Sequence, residues 1–139
     1  MNQHLGYRCR LLGAPLTPVV HIVDDERPVR NAIARLLRAA GYDVAVYASG
    51  QQLLDQLPEI RQPGCILMDM LMPGVNGLEV QEHLEKVGST LPILFMTGSE
   101  EQIQSRPEDF LAKPFSKEEV LNAIERTVKP KDRSEICGT

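Results

Sequence analysis

Short apolar runs alternate with amphipathic stretches along most of this chain. The run Val19–Val23 is continuous, rich in β-branched residues and followed by acids, which is typical of a strand buried on both faces. Comparable runs recur after each amphipathic stretch. The pattern predicts five strands, at residues 19–23, 42–47, 65–68, 93–96 and 110–112.

Amphipathic helices are predicted between these strands and after the last one. Pro28 suits the first turn of the first helix, and Gly41 stands where a left-handed C-cap is required. Ser49 and Ser116 are predicted N-caps, because each is followed three residues later by Gln or Glu. A further helix is predicted from about Leu78 to Val87.

The alternation of apolar strands with helices predicts an α/β fold whose parallel sheet is covered on both faces. Five strand–helix units are too few to close a (β/α)8 barrel, so we expect an open, doubly wound sheet. Residues 1–17 have no periodic pattern and are interpreted as a loose leader. Residues 18–128 then form the domain, and residues 129–139 form a polar tail or linker stub.

Composition narrows the classes of function. The 139 residues carry a net charge of −4, which argues against direct binding of nucleic acid or of an anionic membrane surface. The apolar runs are too short to span a bilayer. The three cysteines are widely spaced without a CxxC pair, so they indicate neither a disulfide framework nor a zinc site. We expect a cytoplasmic protein.

Polar residues follow the predicted strands at their carboxyl ends, namely Asp24, Asp25, Asp69, Thr97 and Lys113. In a doubly wound sheet these ends meet at one crevice. Neighbouring carboxylates repel one another, and a divalent cation with oxygen ligands relieves that repulsion. A carboxylate beside Mg²⁺, an ammonium and a hydroxyl is suited to accept a phosphoryl group.

Four motifs at the strand ends resemble one family. They are Val23–Glu26, Leu67–Gly77, Met96–Gly98 and Phe110–Phe115, and they occur in the family's order. The chain resembles the receiver (CheY-like) domain of bacterial two-component response regulators, most of all receivers that precede DNA-binding output domains. The resemblance implies a flavodoxin-like sheet with strand order 2-1-3-4-5.

The resemblance also assigns the acceptor chemistry. It implies that Asp69 takes a phosphoryl group from a phosphohistidine of a sensor histidine kinase. It implies that Asp25, Asp69 and the backbone carbonyl of Leu71 hold Mg²⁺, with Asp24 acting through water. Lys113 is expected to contact a phosphate oxygen.

The same resemblance implies a conformational switch. Thr97 is expected to move onto the phosphoryl group, and Phe110 is expected to swing inward as Thr97 moves. The peptide bond between Lys113 and Pro114 is usually cis in the family. The switch then controls an output that we expect to be transcriptional, with or without homodimer formation. Such a domain catalyses its own phosphoryl transfer and dephosphorylation but is not an enzyme that turns over a substrate.

One segment departs from the family pattern. Only twelve residues separate Thr97 from Phe110, and among them Ile103 is the one strongly apolar residue before Pro107. The fourth helix is therefore predicted to be shortened to a turn or two, or replaced by a loop. This helix usually contributes to the dimer and output face, so the output route of the family does not transfer automatically.

Other interpretations of the same residues stay open. Acids after the first strand could simply cap a helix, and Phe110 could be an ordinary core residue. A degenerate receiver that serves as a docking module is the main alternative function. An aspartate-nucleophile phosphatase is disfavoured because Leu71 stands where that class has an acid. After Val128 too little chain remains for a helix-turn-helix domain, so this is a single-domain regulator or a separated receiver.

Overall fold

The computed structural model describes residues 18–60, 63–70, 72, 74, 77–105 and 109–128. The predicted leader, the predicted tail and Leu71 lie outside the described residues. The strands are β1 (Val19–Val23), β2 (Asp43–Tyr47), β3 (Gly64–Asp69), β4 (Ile93–Thr97) and β5 (Phe110–Ala112). The helices are α1 (Arg27–Ala39), α2 (Gly50–Gln56) with a 3₁₀ turn at Leu57–Glu59, α3 (Gly77–Lys86), α4 (Glu100–Ser105) and α5 (Lys117–Val128).

The five strands form one parallel sheet in the order β2-β1-β3-β4-β5, which confirms the predicted topology. Alternate residues of each strand point to opposite faces. On one face Ile22 and Leu67 pack against α1 and α5, and we call this the first core. On the other face Val23 and Met68 pack against α2 and α3, which is the second core.

Helix ends follow the predicted caps. Gly41 has φ 101° directly after the C-cap of α1, a conformation in which a residue with a Cβ is strained. Ser49 Oγ accepts a hydrogen bond from the Gln52 N–H at 3.2 Å. At α5 the predicted capping box is complete, because Ser116 donates its N–H to Glu119 Oε1 and accepts from the Glu119 N–H.

The fourth helix is short, as predicted from the sequence. α4 has six residues, fewer than two full turns, and it lies between β4 and β5 in the chain. Among the described residues no helix has the length and apolar character that crossing a membrane requires.

Candidate functional site

Backbone hydrogen bonds continue past the ends of the strands and fix the residues that follow them. Asp24 donates its N–H to the carbonyl oxygen of Tyr47 at 3.2 Å, and Lys113 donates its own to that of Thr97 at 2.8 Å. The register pairs Val23, the last residue of β1, with Met68 of β3, so the residues that follow them, Asp24 and Asp69, lie side by side. Parallel strands thus place the polar residues at one edge of the sheet, as predicted.

The carboxylates of Asp24, Asp25 and Asp69 form a cluster. One oxygen from each lies within 4.8 Å of the others. Asp24 and Asp69 are buried, while Asp25 is exposed. The cluster is therefore open to solvent on the side of Asp25, which is the side from which a ligand can enter.

The surroundings of Asp24 disfavour the charged form of its carboxyl group. Burial raises the pKa of its carboxyl group above the ordinary value, and the nearby Asp69 and Asp25 act in the same direction. The Glu26 N–H, which donates to Asp24 Oδ1 at 2.9 Å, and the charge of Lys113 partly oppose that shift. Asp24 Oδ2 has no hydrogen-bond partner among the described residues.

These observations fit a divalent cation. A buried carboxylate oxygen without a partner, next to two further carboxylates, offers the hard oxygen ligands that Mg²⁺ prefers. A cation would offset the repulsion from Asp69 and Asp25, which adds to the effect of burial in raising the pKa of Asp24. The expected backbone ligand, the carbonyl oxygen of Leu71, lies outside the described residues.

Lys113, which follows β5, forms an ion pair with Asp69. Its Nζ lies 3.0 Å from Asp69 Oδ2, and the lysine side chain is 36% exposed while the carboxylate is 5% exposed. The Lys113–Pro114 peptide bond is cis, as the resemblance implied. The partly exposed ammonium of Lys113 thus lies against one oxygen of a buried carboxylate that also belongs to the acidic cluster.

Thr97 and Phe110 lie beside this edge on the last two strands. Thr97 is buried at the end of β4, and its Oγ1 accepts a hydrogen bond from the Ser99 N–H at 3.1 Å. Phe110 is half-buried and packs against the second core, where its ring centroid lies 5.7 Å from that of Phe95. The structure therefore brings both residues to the expected side of the sheet, and a switching role for either stays a prediction.

The alternative that the first acids merely cap a helix is wrong for the side chains described. The N-cap of α1 is Glu26, and its side chain makes no capping hydrogen bond. Asp24 instead accepts from the Glu26 N–H, which turns the chain between β1 and α1.

Sequence reasoning missed Arg30. Its guanidinium donates to the backbone carbonyl of Asp24 at 2.7 Å and so ties α1 to the acidic edge. An arginine in the first turns of a helix that closely follows two aspartates was the available signal. It was not decisive, because most such arginines face solvent.

One ring nitrogen of His21 has a hydrogen-bond partner among the described residues, and the other has none. His21 is buried in the middle of β1, and its Nδ1 lies 2.9 Å from the Tyr47 hydroxyl. Its Nε2 is buried without a partner among the described residues. Burial lowers the pKa of His21 to about 4, so the ring is neutral at physiological pH.

Comparisons with known proteins agree with this geometry. The family model of the response regulator receiver domain matches residues 20–125. The chain is 34% identical over 124 residues to the response regulator protein TodT of Pseudomonas putida, covering 84% of this chain and 54% of TodT. It is 38% identical over 115 residues to the tetrathionate response regulatory protein TtrR of Salmonella typhimurium, covering 78% and 55%. The chain thus spans about half the length of these relatives.

A solved structure gives the same result. The crystal structure of FixJ-N superimposes with a TM-score of 0.71 at 32% sequence identity, over 80% of this chain and 93% of that one. The fold of this chain is therefore shared with that structure.

Proposed function

This chain belongs to the response regulator receiver family, and on that premise we propose that Asp69 is the aspartate that accepts the phosphoryl group. One observation carries the assignment. Asp69 is the carboxylate that combines burial, membership of the acidic cluster and a 3.0 Å contact with Lys113 Nζ. We also propose that the receiver comprises residues 18–128.

The proposed reaction is a transfer from a phosphohistidine of a sensor histidine kinase. An oxygen of the Asp69 carboxylate attacks phosphorus while the bond from phosphorus to the histidine nitrogen breaks. The bonding electron pair returns to the imidazole, and the product is an acyl phosphate on Asp69. The transfer consumes no oxidant, reductant or water.

The surrounding residues have separate roles in this proposal. Asp25, Asp69 and the Leu71 carbonyl would hold Mg²⁺, with Asp24 acting through water, and the bound ion would supply positive charge to the phosphoryl oxygens. Lys113 exchanges its contact with Asp69 for one with a phosphoryl oxygen. Arg30 holds the backbone of Asp24 and keeps the acidic edge in place during the transfer.

The signal leaves the site through Thr97 and Phe110. We propose that Thr97 Oγ1 gives up its contact with the Ser99 N–H to bond the phosphoryl group, and that Phe110 moves inward into the space released. The output is transcriptional, in keeping with relatives named as response regulators, and the exchange with the kinase takes place in the cytoplasm. Dephosphorylation is catalysed by the same site.

The test is intact mass after incubation with a small phosphodonor such as acetyl phosphate, with and without Mg²⁺. One added phosphoryl group is expected, and it should require both Mg²⁺ and Asp69. The Asp69→Asn variant should take up none. Asp55→Asn, which changes an exposed aspartate on α2 in the same way, is the matched control and should behave like the parent protein.

A short-lived acyl phosphate is distinguished from no reaction by beryllofluoride, which binds a receiver aspartate as a stable phosphoryl mimic. Binding of beryllofluoride that is lost in Asp69→Asn supports the proposal. A folded protein that neither gains mass nor binds beryllofluoride contradicts it, and the docking-module alternative then stands. The short α4 is the observation that keeps this alternative relevant.

A further inference from the structure

We propose that Phe95 is a positioning residue of the switch, through which the start of α3 is mechanically coupled to Phe110. The proposal rests on the proposed function for the meaning of the Phe110 movement. The contacts that carry it are independent of phosphorylation, and they begin at Gly77, the first residue of α3.

Gly77 and the Phe95 ring are in close contact. A Cβ added at Gly77 would overlap Cε1 of Phe95 and would lie 3.1 Å from its Cζ. The ring of Phe95 is buried, so it has little free space in which to retreat. The absence of a side chain at Gly77 is therefore what admits this ring, and movement of the α3 start presses on it directly.

Phe95 and Phe110 are neighbours across β4 and β5. The parallel register places them directly opposite each other, with ring centroids 5.7 Å apart and planes tilted by 34°. Both rings belong to the second core. An inward movement of Phe110 consequently requires that Phe95 adjust, because two packed rings cannot move independently.

Phe95 also lies next to the acceptor site on both sides. Its register partner on β3 is Met68, the residue before Asp69, and Thr97 follows it by two residues on the same face of β4. A path of neighbouring residues from β3 and the start of α3 to Phe110 therefore runs through Phe95. This path does not use α4, which matters in a chain whose α4 has six residues.

The test uses fluorine NMR of the protein labelled with 4-fluorophenylalanine. The chain has three phenylalanines, so three resonances are expected, from Phe95, Phe110 and Phe115. Phe115 packs against the first core on the other face and serves as an internal control. Single Phe→Leu variants assign the resonances.

In the resting protein, Gly77→Ala should shift the resonances of Phe95 and Phe110 and leave that of Phe115 in place. In a Phe95→Leu background the same substitution should no longer shift the Phe110 resonance. Leu78→Ala, an exposed change in the same turn of α3, should shift neither. A Phe110 resonance that ignores Gly77→Ala, or that responds to it equally with and without the Phe95 ring, overturns the proposal.

If Gly77→Ala alone does not fold, folding of the double variant Gly77→Ala/Phe95→Leu tests the coupling instead. Phe95→Leu should then restore folding, because it removes the ring that the new Cβ overlaps. Failure of Phe95→Leu to restore folding counts against the coupling.

Addition of Mg²⁺ and beryllofluoride links the coupling to the switch. The parent protein should show a shifted Phe110 resonance, and Phe95→Leu should lose most of that shift while its uptake of phosphoryl groups, measured by mass, is unchanged. Full retention of the Phe110 shift in Phe95→Leu contradicts the role in switching. No uptake by the parent protein contradicts the proposed function, whereas the comparison in the resting protein still decides the coupling.

Discussion

At the scale of single residues, Lys113 contacts Asp69, the carboxylate that we propose as the phosphoryl acceptor. The ammonium lies 3.0 Å from Oδ2 and is partly exposed, so it can leave Asp69 to follow an incoming phosphoryl oxygen. A cation at this position also competes with a metal ion for the same carboxylate. Transfer and metal binding should therefore respond to Lys113 in opposite directions.

Replacing Lys113 with Met keeps much of the side-chain volume and removes the charge. We expect phosphoryl uptake from acetyl phosphate to slow by about tenfold, the effect of about 1.4 kcal/mol in the barrier, because one charge-assisted bond to the phosphoryl group is lost. Mg²⁺ affinity, measured by titration, should increase. Lys117→Met, an exposed change on α5, is the control. Unchanged uptake in Lys113→Met would contradict the proposed role.

His21 on β1 and Tyr47 on β2 form a buried polar pair on the face of the sheet that carries the second core. Burial lowers the pKa of His21 from 6.5 to about 4. Since the unfolded chain binds the proton more readily than the folded protein, stability is complete above about pH 6.5 and decreases as the pH falls toward 4. The loss attributable to His21 should approach roughly 3 kcal/mol.

The measurement is urea unfolding at pH 7, 5.5 and about 4.5, a range in which His21 dominates before most carboxylates titrate. The double variant His21→Leu/Tyr47→Phe removes both partners, so it leaves no unpaired hydroxyl. Its stability should fall less with acidification than that of the parent protein. Parallel pH profiles for the two proteins would show that His21 is not the group responsible.

At the scale of elements, the start of β3 depends on close approach of two backbones. A Cβ at Gly64 would overlap the carbonyl oxygen of Val19 on β1, and the residue has φ 152°. Gly64→Ala should therefore destabilise the protein by at least about 3 kcal/mol, because β3 must separate from β1 to admit the methyl group.

Gly88→Ala is the matched control at the end of α3. Gly88 also has a positive φ, 74°, but nothing lies within 4 Å of an added Cβ. Gly88→Ala should therefore lower the free energy of unfolding only by the conformational strain of the positive φ, about 1–2 kcal/mol. Chemical unfolding of both variants distinguishes overlap from strain, and similar losses of stability would contradict the argument from close approach.

Element boundaries were largely predictable because they depend on local chemistry. The caps at Ser49 and Ser116 and the stop at Gly41 act within a few residues of where they stand. The short α4 followed in the same way from chain length, since the segment before Phe110 has too few residues for a full helix.

At the scale of the whole molecule, the acidic edge links metal binding to stability. Three carboxylates lie within 4.8 Å of one another, and burial raises the pKa of Asp24, so folding at neutral pH works against their charge. We expect Mg²⁺ to bind the folded site far better than the unfolded chain, and therefore to stabilise the protein.

A concentration of Mg²⁺ tenfold above its dissociation constant should stabilise the protein by about 1.4 kcal/mol, or roughly 5 °C in Tm for a domain of this size. The measurement is thermal unfolding with Mg²⁺ against an equal ionic strength of sodium chloride. Asp25→Asn should abolish most of the difference, whereas Asp55→Asn should keep it. Equal Tm values in the two salts for the parent protein would contradict a metal site at this edge.

The sequence by itself determined the five strands, the order of the elements and the residues at the carboxyl ends of the strands. These depend on the local period of apolar residues, on caps, and on the rule that parallel strands bring their carboxyl ends to one edge. For this reason Asp24, Asp69 and Lys113 could be grouped although they are far apart in the chain. The resemblance to a family then attached a chemistry to the group.

Only the tertiary structure decided which side chains touch within the cores. The hydrogen bond of His21 with Tyr47, the hydrogen bond from Arg30 to the Asp24 carbonyl, and the close packing of Gly77 against Phe95 each join different elements. Such contacts depend on register, twist and the packing of side chains across elements, and a local sequence pattern does not specify these. The residues of the proposed acceptor site could thus be predicted from the sequence, whereas the coupling that we propose through Phe95 depends on the packed fold.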